Sequence, residues 1–317
     1  MQFNFKIKEY KNKMGLFYSY KKTGSGIDKN SPEKSRIVVY FEILLRKFWK
    51  LLEVNLLYTV FLIPAALVYY ALFYMTDLTS KLAVASVSTI VFLLVFGPAT
   101  AAVFKIMRSY ALERHSFILT DFKRAFTENY KKSFAMGVID IVVMFSVYAA
   151  IEVYPNMAQV KDSYLMYVPM VLSISLGIGI LFVSFYSYLL IVATDVSFKN
   201  VIRNSIVLTI YAIKKNLISF VVTIVLAGGF AVLAIFNIYT VWAFPFVPAA
   251  IIIFTITFNS YPVIQKYVIN PYYEQKGEVN PELADEPDED DALFEDMGGK
   301  EKPVDNSKKS KKGKTVS

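Results

Sequence analysis

Apolar positions in this chain come in long unbroken runs, and the polar positions gather between them. Residues 82–104, 164–194 and 217–265 contain no Asp, Glu, Lys or Arg. A bilayer core about 30 Å thick is crossed by roughly 20 apolar residues in a helix. Backbone groups in lipid must bond within their own segment, which favours helices. The runs do not alternate, so they do not read as strands of a membrane barrel. The pattern predicts an all-α membrane protein, a six-helix transmembrane bundle. Its spans lie at about 54–75, 82–107, 133–154, 164–194, 217–236 and 241–262. The last two share the charge-free stretch 217–265, turning near Asn237 to Thr240 with Trp242 at the outer interface.

The segments between spans are amphipathic. In 36–53, Val39, Leu44, Phe48 and Leu52 recur at roughly helical spacing among Arg46, Lys47 and Lys50, with Trp49 near the headgroups. This predicts a surface helix on the cytosolic side. In 108–132, Phe122, Phe126 and Tyr130 share a face, Thr120 is placed to cap and Asp121 follows in the first turn. That helix lies on the cytosolic surface or packs on the bundle as core. In 195–216, Ser197 or Asp195 is the candidate cap. Phe122-Lys123 before Asn129 and Phe198-Lys199 before Asn204 form a weak echo, each opening a surface helix between two spans.

Proline marks the spans. Kinks are expected at Pro64 and at Gly97-Pro98. Pro155 is read as ending the third span and Pro169 as breaking the first turn of the fourth. Gly97 with Ala101, and Gly137 with Ser133, give small-residue faces for close helix contact. Gly177 and Gly179 read as loosening the fourth span.

Charge orients the bundle. Of 34 Lys and Arg, residues 1–50 hold 12, 105–132 hold 7, 195–216 hold 4 and 264–317 hold 9. Only Lys81 and Lys161 fall in the other connections. The positive-inside rule then places both termini in the cytosol, in a multi-pass bacterial cytoplasmic membrane protein. The net charge of +8 is explained by basic loops facing anionic lipid, and nucleic acid is not an expected partner. Residues 1–35 form a polar cytosolic lead without the apolar core of a cleavable signal. Residues 36–273 form the transmembrane domain. Residues 274–317 form a tail in which an acidic run containing Glu282 precedes a lysine run. Its composition predicts disorder, as a docking or lipid-binding tail or as a solvated extension.

Chemistry is sparse. With no cysteine and one histidine, His115, neither thiolate chemistry nor a Cys/His metal site is expected, and no cofactor is. Asp140 is the one acid well inside a span, eight residues past Lys132 and so about 12 Å along the helix. A carboxylate there must be paired, neutralised or watered. Asn55, Lys105, Asp195 and Asn259 also fall near cytosolic span ends, and with Asp140 they form a candidate intramembrane polar cluster. It is either an ion or substrate site or a clasp tying helices together.

Several segments resemble one family in order. They are the run Phe41 to Tyr58 followed by Ile63-Pro64, the run Gly97 to Ala102, Glu113-Arg114 leading to Asp121-Phe122-Lys123 and Phe126 to Lys132, and Pro262 to Tyr273. Together with Met14 to Phe17 and Gly24 to Gly26, they resemble the YesL-like integral membrane proteins, a domain of unknown function. The resemblance implies a bacterial multi-span protein without established activity, encoded near carbohydrate uptake systems. The family usually has a glycine shortly after Glu113, where this chain has Arg114-His115, so a tight turn there lacks its usual residue. The expected function is a non-enzymatic accessory to a carbohydrate transport or envelope complex. Its partners would be anionic lipid and a transporter component or other membrane protein. The alternative is a small-solute transporter or permeability factor built around Asp140.

Overall fold

The structure is a computed structural model that describes residues 34–236, 248–278, 280 and 282. The polar lead, the turn at Asn237 to Thr240 with Trp242, and the charged tail from 283 lie outside the described residues. Contacts divide the chain into two compact units, 1–48 and 49–317, a boundary later than the expected one at 35.

Among the described residues all regular structure is helical. The first unit contains α1 (Arg36–Arg46), with Ile37, Val38, Phe41 and Leu45 exposed. Lys34 pairs with Glu42 at 2.8 Å. The expected surface helix 36–53 is therefore cut short at Lys47, and its last residues open the next helix. That helix is α2 (Phe48–Tyr74), followed by α3 (Leu78–Ala111), α4 (Ile118–Glu128), α5 (Tyr130–Val160) and α6 (Tyr167–Ala193). Then come α7 (Phe198–Tyr211), α8 (Ile213–Phe236), α9 (Pro248–Ile264) and α10 (Asn270–Lys276). A 3-10 turn, Tyr164–Met166, precedes α6, and a π turn, Gln265–Ile269, joins α9 to α10.

Among the described residues five helices are long and apolar enough to cross a membrane: α2, α3, α5, α8, and α6 with its 3-10 turn. Only 11–22% of each apolar window is buried in the protein, so most of these side chains face outward. Outward-facing apolar surface on this scale marks a membrane protein. The sixth expected span, 241–262, overlaps α9 from Pro248 onward, and residues 241–247 lie outside the described residues.

Several boundaries differ from expectation for local reasons. Pro64 and Pro98 lie inside helices that run on through them, and so does Pro155, so the third span does not end there. Pro169 sits in the first turn of α6, where its missing N–H has no helical partner to lose, so the break falls before it. Thr120 is not a cap. The chain enters α4 through Phe117, and Asp121 reaches back to accept from the Phe117 N–H at 2.9 Å and from Ser116 Oγ at 2.6 Å. Ser197 holds the N-cap position of α7 but makes no side-chain cap bond. The Phe-Lys echo is out of register, since Phe122 is the fifth residue of α4 and Phe198 the first of α7.

The tight turn after α3 forms without glycine. Glu113 takes φ 60°, and the Arg114 N–H closes on the Ser109 carbonyl at 2.9 Å. This is the left-handed helix ending that glycine ordinarily supplies.

Helices α3, α6 and α9 pack together, α5 lies against α3 and α6, α4 lies on α3, and α7 lies on α6. Gly97 of α3 crosses Gly137 of α5 backbone to backbone. A Cβ built on Gly97 would stand 2.1 Å from the Ser133 carbonyl oxygen. Gly177 meets Val147 instead of loosening α6. The aromatic face of α4 packs on α2, with Phe122 buried and Phe126 half-buried. Phe122 stacks on Phe61 at 5.2 Å and Phe126 lies 5.6 Å from the same ring. Burial concentrates in Gly97–Phe104 of α3 and Ser184–Val192 of α6, toward the bundle end that carries α4 and α7.

Candidate functional site

Asp140 lies on α5 one turn beyond the Gly97–Gly137 crossing. That contact brings the helix backbones close and holds α5 in rotational register with α3. Both Asp140 carboxylate oxygens are engaged. Ser184 Oγ donates to Oδ1 at 2.6 Å, and Tyr188 OH donates to Oδ2 at 2.8 Å. Ser184 and Tyr188 are four apart, one above the other on α6. The Tyr188 ring stacks on Phe104 of α3 at 5.5 Å with planes 8° apart. One turn back on α3, Thr100 Oγ1 donates to the Phe96 carbonyl at 2.7 Å and so accepts from Tyr58 OH of α2 at 2.8 Å. Four helices thus meet around one carboxylate, and Tyr58, Thr100, Ser184 and Tyr188 are all buried.

The other predicted members lie elsewhere. Asn55, one turn before Tyr58, accepts from the Ala250 N–H at 2.8 Å and so caps the first turn of α9 from a different helix. Asn259 Nδ2 donates to Ser219 Oγ at 3.1 Å, tying α9 to α8. Lys105 is half-buried on the side of α3 facing α4, where it feels Arg108, Arg124, Asp121 and Glu128. Asp195 is exposed in the connection between α6 and α7. The expected single cluster is therefore separate junctions, because Asp140, Asn55, Asn259 and Lys105 each face a different neighbouring helix and Asp195 faces outward.

Sequence reading missed three further polar junctions. Tyr186 OH donates to Asn216 Oδ1 at 2.8 Å, and Ser187 bonds Ser205 at 2.9 Å, fastening α6 to α8 and α7. At the C-terminal end of α3, Arg108 Nε donates to Tyr261 OH of α9 at 2.7 Å, and the guanidinium pairs with Glu282. Burial pushes the Glu282 carboxyl up. The Arg108 charge and the bonds from Tyr261, Arg108 and Gln265 outweigh it, leaving the group below the ordinary carboxylate range. The expected disordered tail thus keeps a defined course at residues 274–278, 280 and 282, because Asn280 and Glu282 are both tied down. No pattern within a single segment marks these junctions, because the partners of each lie on different helices.

Residues 51–151 match the model of a family described as Protein of unknown function, DUF624. The similarity to that family covers this part of the chain, about a third of its length. The DUF624 match takes in Asn55, Tyr58, the Gly97–Gly137 crossing, Thr100, Phe104, Arg108 and Asp140. It stops before Ser184, Tyr188 and all of α9. No curated protein and no solved structure matches the chain. Among the described residues, no three His, Cys, Asp or Glu side chains gather to hold a metal ion.

Proposed function

We propose that this chain is a non-enzymatic membrane protein of six spans, with both termini and the helices α4, α7 and α10 in the cytosol. It acts by contact, as an accessory to a transport or envelope complex. The observation that carries this reading is the state of Asp140. Its two oxygens are already engaged by Ser184 and Tyr188, which makes it a clasp between α5 and α6 and not an open ligand. The remaining working surface is the basic face, where nearly all Lys and Arg collect. Exposed Ile206, Val207, Ile210 and Tyr211 on α7, and Phe117 and Leu119 at α4, offer apolar contact beside those charges. The exposed apolar stripe of α1 suits the surface of an anionic bilayer.

Affinity purification in mild detergent tests the accessory role. A membrane partner should come through at near-stoichiometric yield, and recovery of the chain alone counts against it. The clasp has its own test. Asp140→Ala leaves the buried Tyr188 hydroxyl without its acceptor and Ser184 with only the Ile180 carbonyl, so the amount of folded protein in the membrane should fall, while Asp140→Asn keeps one acceptor and should lose less. Orientation is checked with Glu278→Cys in this cysteine-free chain, which should label only after the membrane is permeabilised.

One observation favours a second reading, solute permeation. The first turn of α9 is capped inside the bundle by Asn55. Helices that start within the bundle form solute sites in some transporters. Flux in liposomes holding only the purified protein would establish that reading over the first.

A further inference from the structure

Arg108 sits in the last turn of α3 with its side chain 13% exposed. A guanidinium so far from water needs an acceptor, and the acceptor here comes from the chain's own tail. Glu282, 9% exposed, receives Arg108 as an ion pair. Tyr261 OH donates toward its two oxygens at 2.7 and 2.6 Å, and Gln265 Nε2 donates at 3.2 Å. The Arg108 guanidinium also lies over the Tyr261 ring at 5.1 Å. Donors from α3, α9 and the π turn therefore converge on one oxyanion. The π turn begins at Gln265, and such local widenings recur where a helix serves a site.

The tail reaches this site by a defined path. Gly277 at φ 69° ends α10 in the left-handed conformation that glycine adopts without strain. The Glu278 N–H then bonds the Tyr273 carbonyl at 3.0 Å. Asn280 Nδ2 donates to Asn270 Oδ1 at 2.8 Å, and Asn280 Oδ1 accepts from the Glu282 N–H at 2.9 Å. If the tail lifts away, a buried cation and two donors lose their shared acceptor, which is far costlier than leaving the pair intact. Another oxyanion must then enter, or the end of the bundle must loosen.

We propose that Arg108, Tyr261 and Gln265 form an exchangeable oxyanion site. Glu282 holds it in cis, and a phosphate group, free or in a lipid headgroup, takes it when the tail lifts. Arg108 suits this exchange because a guanidinium binds carboxylate and phosphate with the same planar donors. The tail is thereby a latch whose release reports on anions at the membrane face. The proposal does not depend on what the protein accompanies.

The test uses the full chain with a nitroxide on Glu278→Cys, an exposed position in a protein with no other cysteine. In nanodiscs of phosphatidylcholine the label should be immobilised. Inorganic phosphate, compared with chloride at equal ionic strength, or phosphatidylglycerol in the disc should raise the mobile fraction several-fold. A response to phosphate alone places the source in solution, and a response to phosphatidylglycerol alone places it in the headgroups. Arg108→Gln should be mobile throughout and unresponsive. Glu282→Gln, which leaves the helices untouched, should also be mobile without added anion. The proposal is overturned if Glu282→Gln stays immobilised, or if the wild-type label ignores both phosphate and phosphatidylglycerol.

Discussion

The Gly97–Gly137 crossing sets the distance between α3 and α5, and Gly97→Ala measures how much of the bundle depends on it. The added Cβ would lie 2.1 Å from the Ser133 carbonyl oxygen and 2.8 Å from its carbon, both backbone atoms of α5. Reaching even a tight 3.0 Å contact requires about 1 Å of retreat. No side chain can rotate away, so whole helices must part. Overpacking in a filled core costs about 1–3 kcal/mol, and a backbone obstruction belongs at the upper end. Alanine returns about 1 kcal/mol of helix propensity over glycine. The net loss is about 2 kcal/mol, roughly 30-fold in the ratio of folded to unfolded protein. The assay is thermal unfolding in one mild detergent, followed by far-ultraviolet circular dichroism. Gly229→Ala is the control, because a Cβ there meets nothing within 4 Å. It should unfold at or above the wild-type temperature, and Gly97→Ala clearly below. Gly97→Ala with Gly137→Ala should cost less than the sum, since both disturb one contact. If Gly97→Ala unfolds together with Gly229→Ala, the crossing does not constrain the helices and the reasoning fails.

Glu113 adopts φ 60° in the turn after α3. Glu113→Gly should therefore raise the unfolding temperature, by the equivalent of about 1 kcal/mol, and a lowered temperature would show that the side chain stabilises the turn by other means. The Glu282 latch has a defined acid dependence. Its carboxyl is held below the ordinary value by Arg108, with Tyr261 and Gln265 facing it, so its contribution is complete above the unfolded value of about 4.3 and is lost as pH falls through the lower folded value. The nitroxide at position 278 should thus keep one line shape from neutral pH to about 5 and mobilise only below that range; release between pH 6 and 7 would assign the latch to another group.

Long helices and a membrane environment are legible in the amino-acid order because the free energy of placing a segment in lipid is nearly a sum over its residues. The charge-free run 164–194 announces α6 whatever surrounds it. The helical spacing of Phe122 and Phe126 likewise announces α4, since periodicity belongs to one segment. The partners of Asp140 are not legible in that way. Serine and threonine in an apolar helix can satisfy themselves on the carbonyl four residues back, as Thr100 does, so their presence raises no flag. Whether Ser184 and Tyr188 turn toward Asp140, 44 and 48 residues away, depends on how α5 and α6 cross. Asn55 reads as one more polar residue near a span end until α9 starts beside it. Glu282 reads as part of a solvated acidic run until Gly277 turns the chain back and Arg108 receives it. Composition along the chain sets which segments enter the membrane. The rotation and crossing of helices, fixed by contacts as close as Gly97 on Gly137, set which polar groups meet there.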